Sequence, residues 1–313
     1  MMRAVAKRIA LMAPTLLGIA LIAFAVVRAT PGDPLAAQGD GALQAGGATL
    51  AQMSAYRRQM GLDDPLLPGF ARWLLRLVTG DLGSSFRDGR AVSAVLGEAL
   101  PMTLLLSIPS LLIGYLVAIP AGILSAARPD GPVDRALSWL AFFVYSLPVQ
   151  WIALMAIVGV SGSGWPIQGW NGPRSLLLPV VCLSYAPAAV LARFLRSSML
   201  EQLGQDYVRT ARAKGLSETR VLLGHVLPNS LLSLITLSGL TLPALISGAV
   251  IVERMFGLPG MGRLTFDAVL GRDTPVLMGV ITLAGVVTMI GMVASDILYT
   301  VADPRISLHG QRP

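Results

Sequence analysis

The sequence predicts an all-α, polytopic membrane protein, and three observations carry that prediction. Hydrophobic residues make up 54% of the chain and charged residues 13%, far from the roughly one-quarter charged share of a soluble domain. The apolar residues gather in long uncharged runs, and a helix of about 20 such residues crosses the roughly 30 Å hydrocarbon core. The net charge of +7 comes from basic residues scattered between those runs, which suits membrane orientation and not a dense nucleic-acid patch with interleaved aromatics.

Six runs read as spans. Residues 9–27 follow Arg3, Lys7 and Arg8; the run is longer than a signal-peptide core and no A-x-A site precedes Arg28, so an uncleaved first helix is expected. Residues 28–98 are the largest extramembrane piece, with seven basic and seven acidic residues. Two short helices are expected there, over 48–62 and 68–83, each ended near a glycine, Gly61 and Gly80. Phe70, Trp73, Leu74 and Leu77 share one side of the second, a face that either packs over the span mouths or meets a partner or the bilayer surface. The natural division is therefore 1–98, carrying the first span and the long loop, and 99–313, carrying the rest.

The second span, 99–127, holds Pro101, Pro109 and Pro120, which predict either kinks or ordinary curvature. After a short loop at 128–135, the third span, 136–160, carries Tyr145, Ser146 and Gln150 near its middle; these are candidates for lining a polar pathway. A Gly- and Trp-rich link leads to the fourth span, 175–192, and Trp165 and Trp170 suit a membrane interface. The fifth and sixth spans fall at 228–252 and 274–295. Cys182 is the single cysteine and reads as a small buried hydrophobe.

The organising stretch is 193–228, a basic and polar interval between two spans. Met199, Leu200, Leu203, Tyr207 and Ala211 recur at steps of three and four, which predicts one amphipathic helix with Glu201, Gln205, Arg209 and Arg212 opposite. Gly215 is expected to break it, and Ser217 to cap a second short helix with Leu222, Leu223, Val226 and Leu227 on its apolar side before Pro228. A polar hairpin needs only a few residues, so a patterned insert of this length implies a docking surface. Ala211, Ala213 and Gly215 read as a close-approach corner, and Arg209, Arg212 and Lys214 as contacts to acidic or carbonyl groups of a partner; a solvated basic face is the other reading.

With both termini on one side, the four pieces on that side hold 13 Lys and Arg in 67 residues, against 11 in 106 on the other. The richer side is cytoplasmic, so the organising stretch and both termini are expected to face the cytoplasm. Only two lysines occur, Lys7 and Lys214, and neither lies in a Gly-Lys-Ser/Thr context, so the chain is not its own P-loop ATPase. No span carries an ionisable residue in its interior, which disfavours proton-coupled carriage. There is no G-x-S-x-G, and the two histidines, His225 and His309, are too few for a metal cluster.

The segment DYVRTARAKGL, Asp206 to Leu216, followed by Leu227-Pro228, resembles the EAA loop of inner-membrane permeases of ATP-binding-cassette importers. Arg209, Thr210 and Ala211 stand at the EAA positions in the wording used by dipeptide, oligopeptide and nickel importers, while His225 departs from the usual Ile. RATPGDP (28–34), MGLDDPL (60–66), GDLGSSF (80–86), the interval 253–273 and DPRI (303–306) are similar to the same family, and the long first loop resembles the first-named of its two permeases. The resemblance implies a non-catalytic type I importer permease of the bacterial inner membrane, moving solute by alternating access. Its implied partners are a second related permease, two cytoplasmic ATPase subunits that bind ATP and Mg, and an extracytoplasmic solute-binding protein. It further implies that Arg209, Thr210, Ala211, Arg212, Ala213, Lys214, Gly215 and Leu216 couple to the ATPase. Dipeptides or oligopeptides are the expected cargo, with nickel or another small solute as the alternative; a channel and a non-transporting scaffold are the readings from other classes.

Overall fold

The computed structural model describes residues 14–26, 64–231, 234, 237 and 249–302, with side chains to residue 294. The expected helix at 48–62, the stretches 28–34 and 303–306, and most of the fifth span lie outside these residues. The described part is mostly helical, with turns and coil between the helices and a single isolated bridge between Ser84 and Ala91 among the described residues. In chain order the helices are α1 (Pro14–Val26), α2 (Leu66–Val78), α3 (Val92–Ala127), α4 (Pro132–Ser146), α5 (Val149–Val160) and α6 (Leu177–Leu203). They are followed by α7 (Asp206–Ala213), α8 (Glu218–Val221), α9 (Val250–Met255), α10 (Met261–Leu270) and α11 (Thr274–Ala302).

The centre of the bundle is the pair α3 and α6. Gly114, Ala118, Gly122 and Ala126 stand four residues apart on α3, which places small side chains in one row along the helix. Such rows let helix backbones approach where lipid supplies no hydrophobic drive. A Cβ on Gly122 would lie 2.9 Å from the Leu195 side chain, and one on Gly114 would touch Ala188 and Pro187 at 3.6 Å. Replacing Gly122 by valine is therefore expected to cost about 1–3 kcal/mol through overpacking, seen as a lower melting temperature of the purified chain, with Gly159→Val harmless because its surroundings are open. Despite Pro101, Pro109 and Pro120, α3 runs unbroken. The prolines do not interrupt the helix, and α3 begins at Val92, earlier than the expected residue 99.

Among the described residues, three helices are long and apolar enough to cross a membrane: α3, α6 with its leading turn Pro173–Leu176, and α11 to Ala294. The third expected span is corrected. It is not one straight helix over 136–160 but the pair α4 and α5, bent by 90°. Pro148 has no N–H to donate and pushes the preceding residue out of the helical region; Leu147 accordingly sits at φ −80°, ψ 126°. The Tyr185 hydroxyl of α6 donates to the Leu147 carbonyl at 2.7 Å, satisfying the corner. The fourth span is also longer than expected, since α6 continues to Leu203 rather than ending near residue 192.

Outside this core, α2 forms as the sequence predicts and stops at Gly80, whose φ of +80° suits a residue without a Cβ. Its aromatic face packs on α1: Phe24 lies 5.7 Å from Phe70 and 6.2 Å from Trp73. This side of α2 covers α1 rather than awaiting a partner. At the other end of the chain, Asp273 leads into α11 and accepts hydrogen bonds from the Ser85 hydroxyl and the Phe86 N–H. The GDLGSSF stretch is thereby tied to the last span.

The interval 253–273 contains the end of α9 and the whole of α10, joined by a tight turn. Its Glu253 is fully buried and accepts from the Thr103 hydroxyl at 2.7 Å and the Arg263 N–H at 2.9 Å. The carboxylate thus caps the first turn of α10, where unpaired N–H groups and the helix dipole favour an anion. Close approach explains the glycines, because a Cβ on Gly262 would stand 2.5 Å from the Val250 backbone.

Candidate functional site

The organising stretch folds as a bent handle at one end of α6. The expected single helix through Met199 and Ala211 is corrected: α6 stops at Leu203, Gly204 and Gln205 turn the chain, and α7 starts at Asp206. Gln205 is extended at ψ 151°. The apolar periodicity continues across the turn because both helices face the same core. Val208 and Ala211 of α7 are buried beside Leu191, Leu195 and Met199 of α6, Ala118 and Ala126 of α3, and Val221 and Val226.

The end of α7 follows from its sequence. Gly215 takes φ +79°, its N–H bonds to the Arg212 carbonyl at 2.9 Å, and the Leu216 N–H reaches the Ala211 carbonyl. This is the Schellman arrangement, which needs a left-handed residue and buries the apolar residue after it; Leu216 packs against the same core. Ser217 then precedes α8, its carbonyl accepting from the Val221 N–H. The following turn, Leu222–Val226, widens into a π-helix in which the Leu227 N–H reaches the Leu222 carbonyl. Pro228 brings no N–H of its own and crowds the carbonyl four residues back, and a widened turn relieves that conflict.

The eight sequence-predicted coupling residues therefore divide into two faces. Ala211 and Leu216 point into the chain's own core, so the expectation that Ala211 meets a partner's backbone is corrected by its burial. Arg209, Thr210, Arg212, Ala213, Lys214 and Gly215 are exposed. Arg212 is bound across the corner to Glu218 at 2.6 Å, and Arg209 pairs with Asp206 of its own helix at 3.3 Å. Exposed pairs of this kind contribute at most about 1 kcal/mol, so either arginine is readily drawn to another acid. A Cβ on Gly215 would meet nothing within 4 Å.

The part of α6 that leads into the handle is tied to the rest of the bundle by a polar cluster. Asp134, at the start of α4, is 2% exposed and receives both Nε and Nη2 of Arg196 at 2.6 Å. It also accepts from the Ser125 hydroxyl and the Asp130 N–H. One carboxylate thus ties the end of α3, the start of α4 and α6. Nothing in the local sequence marks it, since its charged partner, Arg196, lies 62 residues away.

The expected pathway residues do not converge. Tyr145 lines a cavity of about 380 Å³ together with Ser107, Ser110, Tyr185 and Ala249, between α3, α4, α6 and the start of α9. The Ser146 hydroxyl donates to the Phe142 carbonyl of its own helix, and Gln150 is exposed on α5. Ser107 and Ser110, missed in the sequence because serines in an apolar run carry no spacing signal, are buried on the inner side of α3.

Apolar helices stacked on a small-residue seam, with a basic bent handle packed into their core, define a polytopic helical membrane protein. The chain belongs to the family described as binding-protein-dependent transport system inner membrane component, whose model matches residues 118–308. It is 38% identical to the oligopeptide transport system permease protein AppB of Bacillus subtilis, over 96% of this chain and 98% of that one. It is 32% identical to the dipeptide transport system permease protein DppB of Lactococcus lactis, over 98% and 100%. Among solved structures, an inward-facing form of the MetNI methionine ABC transporter matches with a TM-score of 0.55 at 21% identity, covering 66% of this chain and 96% of that chain. That likeness shows the fold. Permeases of this family are non-catalytic and work with a separate ATPase subunit and a binding protein.

Proposed function

We propose that this chain is one of two related permeases in an ATP-driven importer and that it carries dipeptides or oligopeptides inward by alternating access. The observation that carries the mechanism is the burial of Val208 and Ala211, with Leu216 packed against them, in the core shared by α3 and α6. A handle anchored in this way transmits a displacement into both helices as a rigid body, whereas a free loop would dissipate it. Its exposed side, Arg209, Thr210, Arg212, Ala213, Lys214 and Gly215, is the surface on which a cytoplasmic ATPase seats. Two such ATPases hold ATP and Mg, and a solute-binding protein supplies cargo from outside. The chain crosses the inner membrane six times with both termini in the cytoplasm, in keeping with its distribution of basic residues.

The peptide reading rests on the names of the two relatives, and Tyr145 with the serines of its cavity is where cargo passes. Reconstitution of the complete complex in liposomes tests it. Radiolabelled dipeptides and longer peptides, presented with the binding protein, are expected to accumulate only when ATP is enclosed on the ATPase side. Accumulation of nickel chelate but not peptide would replace the cargo, and uptake without ATP would make the protein a channel.

A further inference from the structure

A second cavity lies between α3, α4 and α6, separate from the one holding Tyr145 except at Tyr185, which borders both. It has a volume of about 380 Å³, and Val117, Leu140, Val144 and Val181 are among its walls. Val117, Leu140 and Val181 are each more than half exposed, so the cleft opens sideways from helices that sit at membrane depth. Its other polar side chains are already committed. The Ser184 hydroxyl donates to the Val181 carbonyl, the Tyr185 hydroxyl to the Leu147 carbonyl, and the Ser125 hydroxyl to Asp134, which Ser138 also reaches. Arg196 is held by both oxygens of Asp134.

Arg193 differs from all of these. It lines the same cleft, is exposed, and makes no hydrogen bond or ion pair among the described residues. An apolar trough with satisfied polar edges rejects a peptide or a sugar, whose own polar groups would go unpaired. One uncommitted guanidinium at its rim calls for a single anion, and guanidinium forks match phosphate oxygens.

We propose that this cleft binds an anionic phospholipid, with its phosphate on Arg193 and an acyl chain along the Val117, Leu140 and Val181 trough. Basic pockets between membrane helices on the cytoplasmic side are suited to such headgroups. The choice of leaflet rests on the orientation proposed above; the choice of lipid does not. The role is distinct from transport, in that a bound lipid would brace the junction of α3, α4 and α6 on the side away from the cargo cavity.

Native mass spectrometry tests it on the full chain, purified with its companion subunits and equilibrated with equal amounts of phosphatidylglycerol and phosphatidylcholine of identical acyl chains. The wild type is expected to retain phosphatidylglycerol about fivefold over phosphatidylcholine, the preference one basic contact supplies. Arg193→Gln should bring the ratio near one, Arg193→Lys should keep most of it, and Arg128→Gln, a charge at the same end of the bundle but outside the cleft, should leave it unchanged. Val181→Trp, which fills the trough, should reduce retention of both lipids. An unchanged ratio in Arg193→Gln would overturn the proposal. So would efficient cross-linking of Ser138→Cys to the companion permease, which would give the cleft to a protein helix. Neither result bears on ATP-driven uptake, so the transport reading stands or falls separately.

Discussion

Replacing Gly215 with tryptophan is expected to leave the chain folded and inserted while cutting ATP-driven uptake by more than about tenfold. The asymmetry follows from the surroundings of this residue. Within the chain a side chain at Gly215 meets nothing within 4 Å, so the internal cost is that of placing a Cβ at φ +79°, about 1–2 kcal/mol. On the outside the same side chain stands where the ATPase is proposed to seat, and overpacking of about 1–3 kcal/mol at a packed contact lowers occupancy by up to two orders of magnitude. Gly215→Asn is the matched control. Asparagine tolerates the left-handed region far better than tryptophan and is small, so most uptake should remain. Full uptake by the tryptophan variant, in a complex whose ATPase still hydrolyses ATP, would remove this corner from the coupling mechanism.

The largest expected loss of stability comes from Asp134→Ala. The substitution strands Arg196, whose guanidinium makes two 2.6 Å bonds to that carboxylate, and deprives the Ser125 hydroxyl and the Asp130 N–H of their acceptor. Removing one partner of a buried pair typically costs about 3–5 kcal/mol, because the remaining charge stays desolvated. Arg196 is 28% exposed, which places the expected value toward the lower end. The double variant Asp134→Ala with Arg196→Leu should recover much of that loss, since no charge is left unpaired and leucine suits the apolar wall of the adjoining cleft. Melting temperatures of the purified chain in detergent decide the matter. Equal temperatures for wild type and Asp134→Ala would mean that the cluster is not what joins α4 to α6.

Both predictions concern residues that the sequence exposes very differently. Gly215 was legible at once, because a glycine after an amphipathic stretch signals a left-handed cap and the segment from Asp206 to Leu216 carries a family resemblance. Hydropathy located α3, α6 and α11, since composition and length are local properties. Asp134 was not legible: it reads as one charge in a short polar loop until α6 brings Arg196, 62 residues away, against it. The same holds for Glu253, whose partner Thr103 is separated by 150 residues. Burial of a carboxylate depends on partners that only the fold assembles.

Proline shows why local signals misled at one place and not another. Pro109 and Pro120 sit within a continuous α3, whereas Pro148 marks a 90° corner. The residue type is identical, and the difference lies in what α6 offers. Along α3 it presents a seam for close backbone packing, and opposite Leu147 it presents the Tyr185 hydroxyl, which takes up the carbonyl freed at the corner. The break between α6 and α7 escaped for a related reason. Met199 and Ala211 belong to one apolar core, so periodicity carried across a turn that two helices share.

The exposed side of α7 is proposed to be covered by an ATPase on the cytoplasmic face. Site-directed labelling measures this most directly. With Cys182 replaced by alanine, Ala213→Cys places one thiol on that side without disturbing the buried Val208 and Ala211. A membrane-impermeant maleimide applied to inside-out vesicles should label it when the permeases are expressed alone and fail to do so once the ATPase subunits are bound. Labelling from the outer face of intact cells, or equal labelling with and without the ATPase, would contradict the account.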